Sequence, residues 1–296
     1  MLRQVPKAIF DDEGEEMLPA SRRVGPCRIC GVVAELTEEH IPPRGAFNKS
    51  RTQAYDIDDL IGNDDLDSPP TGLTVQGGMR GYVLCESCNN ITGTNWGREY
   101  QEWARRGVAT LVSTSKTPEE LDVVDGYLYQ KVSFLQVYPG RFIRQVISHM
   151  LTISCGPQLG ERFPSLRDLA LGGEPQPLPD PLRIYLNLYA DNASRIAGGP
   201  SGQGAYSGDE DVWRWLLELS YAPLSTIMLI EGPPDPYLGV DITEFTTVPV
   251  DVVTDELQAE LPIGFGHKPF PGDFRTKGQL LAGRDAHADA SDVLTD

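Results

Sequence analysis

Four of the five cysteines fall into two Cys-x-x-Cys pairs, Cys27/Cys30 in "CRIC" and Cys85/Cys88 in "CESC". Two such pairs offer four thiolates, enough to complete a tetrahedral Zn²⁺ site and leave no open position for a substrate. In a compartment that keeps thiols reduced, a structural zinc reads better than disulfides. A redox motif needs a single pair in a thioredoxin-like setting, which this chain does not offer. Between the pairs, "LTEEHIPPRGAF" sets His40 directly after Glu38 and Glu39 and before Pro42 and Pro43, in a chain with only four histidines. Asn89 follows the fourth cysteine at once. A neutral imidazole near pH 7 suits a general base that takes a proton from water. A carboxylate and an amide oxygen suit a hard cation such as Mg²⁺ or Mn²⁺, which stabilises charge on phosphoryl and leaving oxygens. Those are the requirements of phosphodiester hydrolysis.

The series Cys-x-x-Cys, acid-His-hydrophobic-Pro, Cys-x-x-Cys-Asn resembles the zinc-stabilised form of the HNH (ββα-metal) endonucleases, over residues 27 to 98. The resemblance implies a treble-clef-like ββα module. It gives His40 the role of general base, Glu39 and Asn89 the roles of ligands to a catalytic divalent metal, and the four cysteines a structural zinc. Two positions depart from the family pattern. Glu39 stands where the family usually has Asp, and the family's middle Asn, which braces the loop between the two strands, has no clear counterpart. Asn63 is the candidate for it.

Each of these residues also has a plainer reading. His40 suits a structural histidine of a zinc ribbon, and Asn89 a helix N-cap. Asn90 reads as structural and Glu38 as solvated. Arg44, Arg80, Arg98, Arg105 and Arg106 are candidate phosphate contacts, set against a merely solvated helix face. Trp96 and Trp103 read as core, Cys155 as a buried core residue, and His149 as exposed or at an interface. His267 and His287 fall in a loop and a tail.

Charge narrows the partners. The net charge is −18, from 25 Lys/Arg and 43 Asp/Glu, which excludes a surface that coats nucleic acid throughout. Residues 20–110 carry ten Lys/Arg and twelve Asp/Glu, a net of −2, so the remainder carries 15 − 31 = −16. Six of those twelve acids (Asp56, Asp58, Asp59, Asp64, Asp65 and Asp67) crowd one loop, and the rest of the segment is net basic. A local phosphate-facing patch is compatible with that distribution. No apolar run approaches the ~20 residues of a membrane span. The N-terminus lacks the apolar core of a signal peptide, and the expected location is cytoplasmic.

The elements that must position these residues follow from spacing. Residues 1–20 read as a flexible arm, 21–116 as the HNH nuclease module, 117–276 as a mixed α+β domain of unknown role, and 277–296 as a flexible tail. The acidic Pro/Gly-rich stretch 48–72 interrupts the module. "GLTVQGGMRGYVLC" predicts two short strands around a Gly-Gly turn, delivering the second cysteine pair. "TNWGREYQEWARRG" predicts a helix capped by Thr94 or Asn95 and stopped at Gly107. "YPGRFIRQVISHMLTIS" puts Phe142, Ile143, Val146, Ile147, Met150 and Leu151 on one helical face, with Arg141, Arg144, Gln145, Ser148 and His149 opposite. "LRIYLNLYA", "VWRWLLELSY" and "LSTIMLIEG" predict strands or short buried elements between loops at 172–181 and 197–208.

The expected fold class is α+β: a zinc-bound ββα-metal module followed by a mixed α/β domain. The expected function is a metal-dependent endonuclease cutting DNA, with structural Zn²⁺ and catalytic Mg²⁺ or Mn²⁺. The acidic second domain is a candidate surface for a regulatory protein partner. Two alternatives stand beside it: a non-catalytic zinc module that binds nucleic acid or a protein, and the same chemistry directed at RNA.

Overall fold

The computed structural model describes residues 18–19, 21–54, 73–113, 128–190, 194–203 and 212–264. The arm, most of the acidic loop with Asn63, the 117–120 boundary, His267, His287 and the tail lie outside the described residues. The fold is mixed α+β, with three sheets and five α-helices among the described residues.

The cysteine-bearing part is built on a three-stranded antiparallel sheet in the order β1-β2-β5: β1 Val24–Pro26, β2 Val33–His40 and β5 Arg80–Cys85. Helix α1 (Glu86–Asn95) follows β5 without a loop, giving strand, strand, helix. The long excursion between β2 and β5 is closed at its base by a two-stranded ribbon, β3 (Thr52–Ala54) on β4 (Leu73–Val75). The two strands expected around Gly77-Gly78 are therefore present. They do not pair with each other, because β4 pairs with β3 and β5 with β2. Gly77 (φ 82°) and Gly78 (φ 97°) make the change of direction in a region that side chains with a Cβ disfavour.

Helix α2 (Gly97–Ser113) begins after Trp96 and runs past Gly107. Gly107 is not a stop. It is a point of close packing, where a Cβ would come within 3.0 Å of Pro223 and 3.3 Å of Leu224. Trp103 is fully buried and stacks on Phe134 at 4.2 Å and Phe142 at 4.0 Å, while Trp96 donates from Nε1 to the Ala170 carbonyl at 2.8 Å. Both tryptophans are core residues, as their seven-residue spacing predicts.

Beyond residue 127 a large sheet runs in the order β6-β12-β7-β10-β9-β8, with β11 (Val240–Asp241) pairing β7 off that path. Its strands are β6 (Leu128–Val137), β7 (Arg183–Tyr189), β8 (Arg195–Gln203), β9 (Val212–Tyr221), β10 (Leu224–Glu231) and β12 (Thr254–Gly264). The pairings are antiparallel except for the short β12–β7 contact, Ile263–Leu188 and Gly264–Tyr189. The expected loop at 197–208 is corrected in its first part, since residues 197–203 belong to β8.

Helix α3 (Pro139–Ile153) starts with Pro at its first position, where the missing N–H costs nothing. Its predicted apolar face is buried, and so are Arg144, Gln145, Ser148 and His149 on the opposite face. His149, expected to be exposed or at an interface, is buried inside the fold because elements distant in sequence cover the second face of this helix. Two short helices, α4 (Gln158–Arg162) and α5 (Pro164–Ala170), follow, with Cys155 half-buried just after the end of α3. One hydrophobic core contains Cys27, Leu36, Val83 and Trp103 together with Phe142, Met150, Leu186 and Leu261, so both sides of the expected boundary share it. Among the described residues no helix is long and apolar enough to cross a membrane.

Candidate metal centre and the strand end beside it

The thiol sulfurs of Cys27, Cys30, Cys85 and Cys88 all lie within 4.8 Å of one another. A Zn–S bond of about 2.3 Å in a tetrahedron sets sulfurs about 3.8 Å apart. Cys30 Sγ and Cys85 Sγ are 3.8 Å apart, so the donor set has the size a zinc-class ion requires. Cys85 occupies the N-cap position of α1 and Cys88 its first turn, where the positive end of the helix favours thiolates. The Cys88 thiol, with backbone amides behind it, holds Cys27 down to about 4, against the cost of its burial. Cys88 is pushed upward by the same hydrogen bond and by burial, and Cys30 by burial. Four clustered thiols without a metal thus share their protons unequally, and a dication removes that conflict.

The first knuckle is fastened to the rest of the molecule by a residue inside the motif. Arg28 in "CRIC" is 1% exposed and donates from an Nη to the Thr152 carbonyl at 2.7 Å, near the C-terminus of α3. A guanidinium at a helix C-terminus meets unsatisfied carbonyls of the last turn.

His40 is the last residue of β2, opposite Arg80. Its Nε2 lies 3.3 Å from the Gly77 carbonyl. A carbonyl only accepts, so Nε2 carries the proton and Nδ1 is left as the basic nitrogen. Burial lowers the imidazole's pKa, Glu38 opposes that, and the Arg80 and Arg44 charges reinforce it. The ring is therefore neutral at pH 7. Glu38, expected to be solvated, is half-buried and paired with Arg80 at 2.6 Å, with Tyr82 Oη at 3.4 Å from the same oxygen. Arg80 is accordingly engaged by Glu38.

Glu39 is half-buried, and surrounding protein desolvates its carboxyl enough to push it up to about 8. Asn89 sits one turn inside α1, so it is not the N-cap. Its Nδ2 donates to Thr37 Oγ1 at 2.9 Å and to the Glu38 carbonyl at 3.0 Å. The helix residue and the end of β2 are thereby brought together.

The loop after His40 is held by a residue that sequence reading missed. Asn48 is fully buried; its Nδ2 donates to the Pro42 and Met79 carbonyls at 2.7 and 2.8 Å, and its Oδ1 accepts from Met79 N–H at 2.7 Å. One amide thus ties the exit of β2 to the entry of β5, and Gly78 is required beside it because a Cβ there would sit 2.2 Å from Asn48 Oδ1. The only sequence signal is a polar residue with no charge partner, just past the Pro-Pro turn.

Of the candidate cations, Arg44, Arg98, Arg105 and Arg106 are exposed, Arg44 in the loop after His40 and the others on α2. Arg105 pairs with Glu102 one turn back on the same helix. In comparisons with known proteins, no protein-family model, no curated protein and no solved structure matches the chain.

Proposed function

We propose that the chain is a metal-dependent endonuclease of the HNH kind, hydrolysing phosphodiester bonds in DNA. The observation that carries this reading is the placement of three residues on one strand–strand–helix scaffold. A neutral His40 with a basic Nδ1 stands at a strand end, a desolvated Glu39 carboxyl precedes it, and Asn89 is fastened to the same strand from the helix. Asn48 ties the exit of β2 to the entry of β5, the bracing role for which the sequence offers Asn63, outside the described residues.

In this mechanism His40 takes the proton of the attacking water at Nδ1, while the Gly77 carbonyl fixes the ring through Nε2. The Glu39 carboxylate and the Asn89 amide oxygen are the residues that would hold Mg²⁺ or Mn²⁺. The donor chemistry fits, since a carboxylate and an amide oxygen are both hard donors of the kind Mg²⁺ and Mn²⁺ take. Bound there, the ion supplies charge neutralisation for the phosphoryl and leaving oxygens. The cysteine cluster acts at one remove. It holds the end of β5 and the start of α1 together, and so keeps Asn89 against β2.

The test is cleavage of plasmid DNA by the zinc-loaded chain with Mg²⁺ or Mn²⁺, with and without EDTA. Nicking or linearisation that EDTA abolishes is the expected result. A protein that retains zinc and binds DNA yet cuts neither DNA nor RNA under any divalent cation is a binding module, and the catalytic reading is then wrong.

A further inference from the structure

Phe47 lies in the loop that follows His40 and adopts φ 68°, a left-handed conformation that bulky side chains avoid. Among the described residues only Gln136 shares this departure outside glycine. The backbone around Phe47 is fixed from several directions. Ala46 and Asn48 on either side are buried, Tyr221 Oη donates to the Phe47 carbonyl at 3.2 Å, and Lys49 N–H donates to it at 2.8 Å. Gly45, two residues before, packs directly on Gln101 of α2. Phe47 is 44% exposed. A glycine would satisfy this backbone without strain, and Phe47 is not among the side chains that form or pack against the hydrophobic core. Strain kept beside a candidate active site is a signal of use.

The surroundings of the ring identify the partner. Residues 41–51 contain Arg44, Lys49 and Arg51, all exposed, and no acid, on a chain whose net charge is −18. An apolar protein partner needs a wider apolar surface, whereas the other exposed residues of this loop are cationic or polar. An aromatic face flanked by cations is the chemistry that receives a base between phosphates.

We propose that Phe47 is a substrate-contacting residue that stacks on a nucleobase next to the cleaved phosphate, with Arg44, Lys49 and Arg51 holding phosphates on either side. The proposal rests on the endonuclease reading above and specifies how that site grips its substrate. Stacking tolerates any base, so Phe47 contributes grip and local unstacking rather than sequence choice.

The experiment uses the full zinc-loaded chain carrying His40→Ala, so that DNA is bound and not cut, and oligonucleotides with 2-aminopurine at successive positions. Binding is expected to change the fluorescence sharply at one or two positions. Phe47→Gly on the same background should abolish that signal and weaken binding by about five-fold or more. The same variant should raise the Tm, because glycine accepts the left-handed backbone. Phe47→Trp should keep the signal. A Phe47→Gly protein that binds with the parent's affinity and fluorescence profile overturns the proposal while leaving the nuclease intact. A Phe47→Gly protein with a lowered Tm overturns it too, since the ring is then a packing residue. If the parent binds no DNA while a labelled protein or peptide occupies the loop, the endonuclease reading fails and takes this inference with it.

Discussion

His40 and His149 are both held as neutral imidazoles, and the difference between their settings separates chemistry from architecture. His40 closes a strand, half-buried, with Gly77 on one nitrogen and two arginine charges bearing on the ring. His149 lies inside α3 at 1% exposure, receives a hydrogen bond from Gln145 Nε2 at 2.9 Å, and packs edge-on against Tyr100 at 4.8 Å. Burial alone drives its pKa down to about 3. A base must meet water, and only His40 is placed to do so. The same contrast extends to their neighbours. The neighbouring Glu39 carboxyl is desolvated by burial and the following loop holds Phe47 in a left-handed conformation, whereas around His149 aromatic rings stack closely.

The largest effect expected on this contrast comes from the metal. Cys85→Ser should lose the bound zinc by elemental analysis and unfold the cysteine-bearing part, because structural zinc contributes about 10–16 kcal/mol of apparent binding free energy to folding. Full zinc retention would refute a four-cysteine site. Next come the two histidines themselves. His40→Ala should lower the cleavage rate about 10²–10⁴-fold with zinc content and Tm unchanged. His149→Ala should do the reverse, costing about 3 kcal/mol of stability with cleavage per folded molecule retained. If the two variants exchange phenotypes, the base has been misassigned.

Acidification separates the two regions by a smaller amount. The His149 pKa is about 3 when folded and near 6.5 when unfolded, so between those values the unfolded chain binds a proton that the native chain lacks. Stability therefore rises with pH across that window and falls on acidification, by up to about 1.4 kcal/mol per pH unit from this group. Above pH 6.5 the group contributes no slope. Urea midpoints at pH 7, 6 and 5 should fall more steeply for the wild type than for His149→Gln. Parallel curves would show that His149 is protonated in the native state.

The cysteine pairs were legible because metal ligation demands local spacing, and β2, β5 and α1 follow from the residues that carry it. Three features were hidden by distance along the chain. Asn48 finds its partners at Pro42 and Met79, the latter across the acidic excursion, so no local pattern marks it as the brace. Arg28 looks like a surface residue of a knuckle until α3 delivers the Thr152 carbonyl to it. The polar face of α3 reads as solvent-facing by periodicity, yet it is buried, with Tyr100 of α2 against His149 and the Gly173 carbonyl, beyond α5, on Arg144. Gly107 shows the converse error. A residue that usually ends helices is here the flat spot against which Pro223 packs.

The smallest effect concerns which surface, on the proposed endonuclease reading, would guide DNA to His40. Arg98 and Arg105 are seven residues apart on α2 and share a face, while Arg106 is turned by about 100°. Arg105 is shared with Glu102, an exposed pair worth at most about 1 kcal/mol, so a phosphate can compete for it. Changing all three to Gln should leave zinc content untouched and flatten the dependence of log affinity on log salt, by about 0.9 for each phosphate no longer neutralised. Arg98→Gln alone should account for more of that change than Arg106→Gln, whose side chain leaves the shared face. Arg44→Gln provides the comparison from the loop after His40, because the Arg44 charge adds to the lowering of the His40 pKa. It should change both the salt slope and the pH dependence of cleavage, raising the His40 pKa by removing a like charge. A triple variant with the wild-type salt slope would mean that DNA approaches only over the loop of Arg44, Lys49 and Arg51, and that α2 faces solvent.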